Sequence, residues 1–368
     1  MPNYLKNTWY VAAEPVEIEQ GKICARRILN ENIALFRTDS GDVVALEDRC
    51  SHRFAALSAG RICGELLQCP YHGARFNKQG DCVEVGGLTT IPKGSKIRSY
   101  PVVEKYGYIW IWMGDPALSD DQSSMPDWCF TADHPDWDSR YSLIESYPGY
   151  YELVNDNLLD LTHLEFVHPE TIGHKMMTQS WRAAGKRDSG DESSGMVEDV
   201  KERGIEMKIW SRNDPSGPAM RQWVAMSQGK ETYDGNVDFE LNVKFAAPTS
   251  FLFAGDVKPA NSPGSRVFKV RQLNLITPES DTTCHYFFNN ATDFAPDRAE
   301  FADALHAGFV FAFEQDRAVI AAQVQRVPDH GHDFTSMTRV CFAGDGLQNQ
   351  GRQIIEKMVA EELQSARL

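Results

Sequence analysis

Apolar runs separated by turn residues predict an all-β module over residues 1–113. Ile33–Arg37 and Val43–Glu47 are apolar segments that flank Ser40–Asp42, and a short Gly-containing connection between two such runs is typical of a β-hairpin. Tyr108–Trp112 combines aromatic and β-branched residues, which are enriched in strands. We therefore expect short strands joined by tight turns in this part of the chain.

The remainder of the chain mixes strands and helices. Residues 114–140 are rich in Asp, Ser, Pro and Trp with little periodicity, as in a linker. After it, apolar side chains alternate strictly with polar or small ones over Val237–Phe245, which predicts a half-buried strand. Arg266–Ile276 and Cys284–Phe288 predict two further strands, joined by a turn at Pro278–Asp281.

Three segments have helical periodicity. The first is Tyr150–Val167, and the second is Pro296–Arg326, which begins with a proline suited to the first position of a helix. The third, Ile354–Leu363, places its apolar residues on one face. The pattern as a whole predicts an α+β fold, with an all-β domain at residues 1–130 and a domain of helices and sheet at residues 131–368.

Composition and charge narrow the possible partners. The chain has 368 residues, enough for two domains, and its 42% hydrophobic and 24% charged residues are those of an ordinary globular protein. The net charge of −15 disfavours nucleic acids and anionic membranes. No apolar run approaches the ~20 residues needed to span a bilayer, and Met1–Tyr10 lacks the apolar core of a signal peptide. The sparse cysteines do not suggest a disulfide scaffold, so we expect a cytoplasmic protein.

Two short Cys–His pairs are the most specific chemical signal in the chain. Cys50-x-His52 is followed, after sixteen residues, by Cys69-x-x-His72. A Rieske [2Fe–2S] cluster takes two cysteines on one iron and two histidines on the other, so each pair would supply one thiolate and one imidazole. The alternatives are a structural zinc site, in which like ligands are usually paired, and chance pairing. The spacing favours Cys50, His52, Cys69 and His72 as cluster ligands.

A second group of candidate metal ligands lies in the first helical segment. Asp156, Asp160 and His163 fall at i, i+4 and i+7, which places them on one helical face. His168 is five residues beyond His163, about 140° round a regular helix, too far for both rings to reach one ion. Because a residue before proline is disfavoured in the helical region, Pro169 predicts that the helix breaks or widens just before His168.

Asp316 is the third candidate ligand. It falls in the middle of the apolar face of the second predicted helix, where an ionised carboxylate is costly unless it is paired or binds a metal. A buried salt bridge or a hydrogen bond between helices is the alternative, and a histidine pair in a helix can equally be structural. Two histidines and one carboxylate form the facial triad of non-haem Fe(II) oxygenases.

The helical motif also resembles that of a known family. Asn157, Asp160, His163 and His168 have the spacing N-x₂-D-x₂-H-x₄-H of Rieske non-haem iron oxygenase α subunits, and Phe313–Arg317 resembles the segment that carries their third iron ligand. The two Cys–His pairs are similar to the family motif C-P-H-R…C-P-Y-H-G, with serine in place of the first proline. The resemblance extends over essentially the whole chain, and it is strongest to the branch of vanillate O-demethylase, dicamba O-demethylase and toluenesulfonate methyl-monooxygenase.

This resemblance implies an N-terminal Rieske domain followed by a helix-grip catalytic domain, in which an antiparallel sheet is flanked by helices. The first domain would hold the [2Fe–2S] cluster, and the second would bind mononuclear Fe(II) through His163, His168 and Asp316. Asp160 would bridge His163 to a Rieske histidine of a neighbouring subunit in a homotrimer, and Asn157 would lie near the iron. The remaining histidines are read from the sequence as structural or surface residues, with His285 as the one candidate for lining the pocket.

The resemblance implies the reaction and the source of electrons as well. The chain has no nicotinamide or flavin motif, so NAD(P)H would act only through a flavin and iron–sulfur reductase or a ferredoxin. Arg53, Arg75 and Lys78 either form a docking surface for that partner or are ordinary solvated side chains. The expected reaction uses O₂ to monooxygenate a substituted aromatic compound, by O-demethylation of a methoxy group or hydroxylation of a methyl group. Ring cis-dihydroxylation, N-demethylation and, in a different class, electron transfer without oxygenase activity are the alternatives.

Overall fold

The structure, a computed structural model, forms two compact units. It describes residues 4–87, 90–120, 122–128, 134–169, 171–173, 194–215, 218–293, 299–327, 340, 342 and 345–365. One unit comprises Asn3–Met125 with Thr277–Asp281, and the other comprises Pro126–Ile276 with Thr282–Leu368. The division after Met125 falls within the composition change at residues 114–140.

The described residues of the N-terminal unit form three small sheets. Their strands are β1 Trp9–Ala13, β2 Ile23–Ile28, β3 Glu31–Arg37, β4 Val43–Glu47, β5 Arg61–Cys63, β6 Leu66–Gln68, β7 Arg75–Phe76, β8 Cys82–Glu84, β9 Ser99–Tyr100, β10 Val102–Lys105 and β11 Tyr108–Trp112. The sheet orders are β1-β11-β10, β2-β3-β4-β9 and β5-β6-β7-β8. Short 3₁₀ helices lie at Pro15–Ile18, Pro116–Leu118 and Gln122–Ser124.

The strands predicted in this unit are confirmed. β3 pairs antiparallel with β4, with Ile33 opposite Glu47. Gly41 in the connecting turn has a φ of +95°, a conformation that glycine adopts without a steric penalty. The aromatic segment Tyr108–Trp112 is β11, and all five of its residues are buried because it is the central strand of its sheet.

A seven-stranded sheet dominates the C-terminal unit. Its strands are β12 Asp138–Pro148, β13 Ser194–Lys201, β14 Gly204–Asp214, β15 Val237–Ala246, β16 Ser250–Pro259, β17 Phe268–Pro278 and β18 Thr283–Thr292, in the order β12-β18-β17-β16-β15-β14-β13. The helices are α1 Tyr151–Leu159, α2 Leu164–Val167, α3 Pro218–Ser227, α4 Ala299–Val324 and α5 Gly346–Ser365, with a 3₁₀ turn at Leu161–His163. An all-β unit followed by an antiparallel sheet with helices confirms the predicted α+β fold.

Strand β15 and helix α4 of this unit form where their patterns predict them. Residues of β15 alternate between buried and half-buried along its whole length. The second predicted helix is α4, although its expected start at Pro296 lies outside the described residues. Asp316 is 4% exposed and shares the buried face of α4 with Phe309 and Ile320. Within the described part of the chain, the helices are too short or too polar to cross a bilayer.

The prediction of one continuous helix over Tyr150–Val167 is wrong in its middle. α1 ends at Leu159, because Asp160 has φ −101° and ψ 90° and so leaves the helical region. The Asp160 side chain then accepts a hydrogen bond from the backbone N–H of Thr162 at 2.9 Å, which caps the following 3₁₀ turn. The second break agrees with the prediction, since α2 ends at Val167 and His168 is non-helical.

Candidate metal centres and substrate cavity

The two Cys–His pairs lie on loops with the same hydrogen-bond pattern. Cys50 donates its backbone N–H to the carbonyl oxygen of Ala55 at 2.9 Å, and Phe54 donates to the carbonyl oxygen of Cys50 at 3.0 Å. The second loop repeats both hydrogen bonds from Cys69, at 2.7 and 3.2 Å. The fifth residue of each loop, Phe54 or Gly73, is left-handed, with φ of +59° and +72°. The two turns therefore have the same backbone hydrogen bonds, and each presents one cysteine and one histidine.

The thiols of these loops are buried and the imidazoles are exposed. Cys50 and Cys69 are each 2% exposed and belong to the hydrophobic core of the N-terminal unit. Burial raises the pKa of the Cys50 thiol, and the adjacent Cys69 thiol adds to this. His52 and His72 lie at the surface with their ring centroids 4.8 Å apart. Two thiols inside and two imidazoles outside fit a cluster whose two irons take different ligands.

In the C-terminal unit, His163, His168 and Asp316 converge on one point. Oδ1 of Asp316 lies 3.4 Å from Nε2 of His163 and 3.1 Å from Nε2 of His168. One ligand atom from each residue lies within 4.8 Å of the other two. Two ligands at right angles and about 2.1 Å from a metal are themselves about 3 Å apart, so this spacing fits one metal ion.

Hydrogen bonds to the other ring nitrogens orient both histidines. Nδ1 of His168 donates to Oε1 of Gln315 at 2.9 Å, and Nδ1 of His163 donates to the backbone carbonyl oxygen of Asp160. Each Nε2 is therefore the unprotonated nitrogen and faces Asp316 with its lone pair. Nε2 of His168 is buried and has no hydrogen-bond partner, as expected of a ligand atom. The donor set thus has the chemistry of a two-histidine, one-carboxylate metal site.

Burial and the Asp316 carboxylate act in opposite directions on the two histidines of this group. For His168, burial is outweighed by the nearby Asp316 carboxylate, so its pKa is raised. For His163, burial and repulsion from His168 outweigh the same carboxylate, so its pKa is lowered.

Asp160 is positioned by the break after α1. Its Oδ1 accepts hydrogen bonds from the backbone N–H of Thr162 at 2.9 Å and from the Thr162 hydroxyl at 2.5 Å. The contact of Asp160 with His163 is made by its backbone carbonyl, not by its carboxylate as expected. The carboxylate caps the next turn instead, and Oδ2 has no hydrogen-bond partner among the described residues.

Asp156 and Asn157 have separate partners. Nε and Nη2 of Arg352 donate to the Asp156 carboxylate at 2.7–3.0 Å, and Nη1 donates to Glu152 at 2.6 Å. The helical spacing alone did not distinguish Asp156 from Asp160 as the candidate functional carboxylate. In the structure, the carboxylate of Asp156 is engaged in this bidentate ion pair with Arg352. Asn157 donates from Nδ2 to Oδ1 of Asp316 at 3.2 Å, next to the candidate metal position.

An apolar cavity of about 100 Å³ reaches the histidine–carboxylate group. Leucine and aromatic side chains from α1, α3, α4 and the sheet form most of its wall, among them Leu158, Trp223, Phe239, Phe253 and Phe313. Its polar lining comes from His163, Asp316, Asn157 and Gln272. A cavity of this kind holds a flat hydrophobic molecule beside the metal position.

Comparison with known sequences identifies the family. Residues 147–361 match the vanillate O-demethylase oxygenase C-terminal domain, and residues 8–101 match the Rieske [2Fe–2S] domain. The chain belongs to this family of Rieske oxygenases. The toluene-4-sulfonate monooxygenase system iron–sulfur subunit of Comamonas testosteroni is 35% identical over 98% of each chain. The oxygenase component of dicamba O-demethylase from Stenotrophomonas maltophilia is 34% identical over 88% of each chain.

Solved structures agree with this assignment. Dicamba monooxygenase bound to dicamba is 28% identical and has a TM-score of 0.83, covering 98% of this chain and 99% of that one. A structure of dicamba monooxygenase with non-haem iron and dicamba has a TM-score of 0.75 and covers 100% of both chains. The chain is therefore the oxygenase component of a Rieske monooxygenase system.

Membership in the family removes two alternatives left open by the residues. The match of residues 8–101 to a Rieske domain contradicts a structural zinc site at the Cys–His pairs. The match of residues 147–361 to an oxygenase domain contradicts an electron carrier without oxygenase activity.

Several features of this Rieske oxygenase differ from the sequence interpretation or were missed by it. His285 is 3% exposed but is not among the described residues that line the cavity, so its expected role there was wrong. Gln315, Gln272 and Arg352 were not identified from the sequence. The hydrogen-bond partners of Gln315 and Arg352 lie far away in the chain, and Gln272 is distinguished only by its place in the cavity wall.

The three predicted surface cations are not equivalent in this oxygenase. Nη1 of Arg75 donates to Glu84 at 2.8 Å, and Nζ of Lys78 donates to Asp42 at 2.8 Å. Arg53 follows the cluster loop residue His52, is exposed and has no ion pair within the described residues. The two paired cations are partly neutralised, so Arg53 offers the most accessible positive charge of the three.

Proposed function

We propose that this oxygenase component inserts one oxygen atom of O₂ into a methyl or methoxy carbon of a substituted aromatic compound. The observation that carries the proposal is the two-histidine, one-carboxylate group at the wall of an apolar cavity. O₂, two electrons and two protons convert an aryl methyl group into an aryl methanol and water. The same step on an aryl methyl ether gives a hemiacetal that separates into a phenol and formaldehyde.

The proposed ligands are Cys50, His52, Cys69 and His72 for the cluster and His163, His168 and Asp316 for mononuclear iron. Support comes from the paired loops, the buried thiols, and the Nε2 atoms of both histidines, which lie within 3.4 Å of Asp316. When bound, the cluster would supply electrons singly and the iron would supply the position at which O₂ is reduced.

The protein around the iron position has three proposed tasks. Asp160 and Gln315 hold the rings of His163 and His168 with Nε2 forward. Asn157 holds one oxygen of Asp316 through its 3.2 Å hydrogen bond. The aromatic and leucine walls bind the ring of the substrate, orient its methyl carbon toward the iron and exclude water.

A separate reductase or ferredoxin is the proposed electron source, with NAD(P)H acting only through it. Arg53 is exposed and has no ion pair within the described residues, so its positive charge suits an acidic surface on that partner. The described cysteines outside the cluster loops carry no disulfide, while Cys129 and Cys341 lie outside the described residues, and a reducing cytoplasm is the compartment we propose.

The proposed assembly is a homotrimer in which a second copy of the chain docks beside Asp160. A surface cavity of about 380 Å³ exposes Asp160 and His163, and its rim includes Val319, Val340 and Phe342. The last two are 79% and 78% exposed, an unusual degree for apolar side chains beside a functional residue. The His52–His72 face of a second copy is the proposed occupant, since it would bring a cluster next to the free Oδ2 of Asp160.

Mixed oligomers test this assembly. Cys50→Ala removes a cluster ligand and Asp316→Ala removes an iron ligand, so each variant alone is expected to be inactive. Co-expression with two affinity tags yields mixed oligomers, and electron transfer between subunits predicts that these regain a measurable fraction of wild-type turnover. Mixed oligomers as inactive as their parents would contradict transfer between subunits.

Turnover with a surrogate reductase tests the reaction itself. Methylated and methoxylated arenes are incubated with the oxygenase, reductase, NADH and ¹⁸O₂, and products are identified by mass. The proposal predicts one ¹⁸O atom in an aryl methanol, or formaldehyde released together with a phenol. A ring cis-diol with two ¹⁸O atoms would favour the dihydroxylase alternative, and loss of an N-methyl group would favour N-demethylation.

A further inference from the structure

A buried amide in the cavity wall has no hydrogen-bond partner among the described residues. Gln272 lies on β17 opposite Phe253 of β16, is 6% exposed and lines the apolar cavity. Its Nε2 is buried without a hydrogen-bond partner, and its Oε1 likewise has none within the described structure. Because buried polar groups are almost always hydrogen-bonded, an amide left open at this position indicates a ligand that completes it.

The space in front of Gln272 limits the substrate to one ring. The cavity of about 100 Å³ is smaller than a cavity of about 150 Å³ that binds benzene. Leu241 and Val270 line the same wall, and Phe309 and Phe313 contribute from α4. His163 and Asp316 are also part of the lining, so a single small molecule can contact both the amide and the iron position.

We propose that Gln272 is the specificity residue for an uncharged polar group on a single-ring methyl- or methoxyarene, of the phenol class. This inference rests on the proposed function and names its substrate class. An amide carries both a donor and an acceptor, and a hydroxyl group is complementary to both. A carboxylate or sulfonate could use only the donor, would face Oε1 with like partial charge, and would lose its hydration among aromatic and leucine side chains.

The surroundings of the cavity also favour an uncharged substrate. A larger cavity of about 610 Å³ adjoins it and shares Ile172, Trp223 and Phe309 as lining residues. The net charge of −15 opposes the approach of an anionic arene and leaves a neutral one unaffected.

Binding without turnover tests the inference. The holoenzyme is titrated calorimetrically, without O₂ or reductase, with methoxyphenols, methoxybenzoates and methoxybenzene, using each ring isomer of the first two. The best methoxyphenol is expected to bind at least about tenfold more tightly than the best methoxybenzoate, a difference of about 1.4 kcal/mol. A methoxybenzoate that binds as tightly or more tightly overturns the inference, and so does failure of every methoxyphenol to bind.

A variant at position 272 tests whether the amide of Gln272 causes the preference for methoxyphenols. Gln272→Leu removes both polar atoms and is expected to weaken methoxyphenol binding about tenfold while leaving methoxybenzene, which lacks the hydroxyl group, unchanged or tighter. Gln353→Leu, an exposed glutamine on α5 away from both cavities, is the matched control and should bind all three as wild type does. Equal weakening of methoxyphenol and methoxybenzene by Gln272→Leu would show a merely structural role and overturn the inference. If that variant does not fold, the wild-type comparison of methoxyphenols with methoxybenzoates still tests the inference.

Product analysis separates this inference from the proposed function. Demethylation of methoxybenzoates but not of methoxyphenols would retain the function and overturn the substrate class. The expected binding preference without oxygenated product from any arene would retain the role of Gln272 as a binding residue and contradict the proposed reaction.

Discussion

Gln315 and His168 lie 147 positions apart in the chain and are joined by a 2.9 Å hydrogen bond from Nδ1 of the ring to Oε1 of the amide. The next residue of α4, Asp316, places its carboxylate 3.1 Å from the opposite nitrogen of the same ring. Consecutive residues of one helix thus act on the two nitrogens of His168. The first fixes the tautomer and the second contributes the charge of the metal site.

Gln315→Leu is expected to weaken iron binding because it removes this acceptor and frees the His168 ring to rotate or to protonate Nε2. Loss of a hydrogen bond of this kind costs about 10–100-fold in metal affinity. Iron dissociation constants measured with a competing chelator test this expectation. Gln315→Glu retains an acceptor and should retain iron, and Glu314→Gln, at an exposed neighbouring position, should not differ from wild type. Wild-type affinity in Gln315→Leu would contradict the orienting role.

Asp160→Asn tests the proposed path of electrons between subunits. Asparagine can still cap the 3₁₀ turn through Thr162, so both metal sites should keep their metals. The charge and the acceptor capacity of Oδ2 are lost, and electron delivery to the iron should slow by orders of magnitude. Rapid mixing of reduced enzyme with O₂ and substrate measures cluster reoxidation directly. Thr162→Val, which removes only the hydroxyl donor, serves as a control, and wild-type reoxidation in Asp160→Asn would contradict the relay.

Glu152 should make stability depend on pH. Burial raises its pKa from 4.5 to about 7, and Asp156, which shares Arg352 with it, adds to the rise. The folded state therefore binds this proton more tightly than the unfolded state. The resulting stabilisation is complete below about pH 4.5 and is lost as the pH rises toward about 7.

Comparison with Glu152→Gln isolates this group, because glutamine does not titrate. Between about pH 5 and about pH 8, the free energy of unfolding of wild type should fall relative to that of the variant by roughly 1–3 kcal/mol. Denaturant unfolding at several pH values gives the difference. A difference that stays constant over this range would show that Glu152 has the same pKa in the folded and unfolded states.

The metal-site candidates and the strands were accessible from the sequence because they depend on short spacings. Cys50 and His52, or Cys69 and His72, belong to single turns, and β15 shows its period of two residue by residue. The apolar face of α4 marked Asp316 because a charge there needs a partner. Such signals are local, so one segment of sequence contains all of their information.

The features that were missed depend either on local competition between hydrogen bonds or on contacts between distant segments. The end of α1 at Asp160 results from capping by its own side chain, which competes with continuation of a segment that is otherwise helical in pattern. Nothing near Asp156 in sequence indicates Arg352, which lies 196 positions away. Gln272 resembles any polar residue of a strand until the sheet and α4 enclose it.

Iron and acid-labile sulfide per chain, measured together with the visible spectrum, test the two-site account most directly. Wild type is expected to contain three irons and two sulfides, in keeping with one [2Fe–2S] cluster and one mononuclear iron. Asp316→Ala and His163→Ala should each contain two irons and two sulfides with an unchanged Rieske spectrum. Loss of sulfide or of the Rieske spectrum in either variant, or retention of the third iron, would contradict the assignment of the two sites to separate sets of ligands.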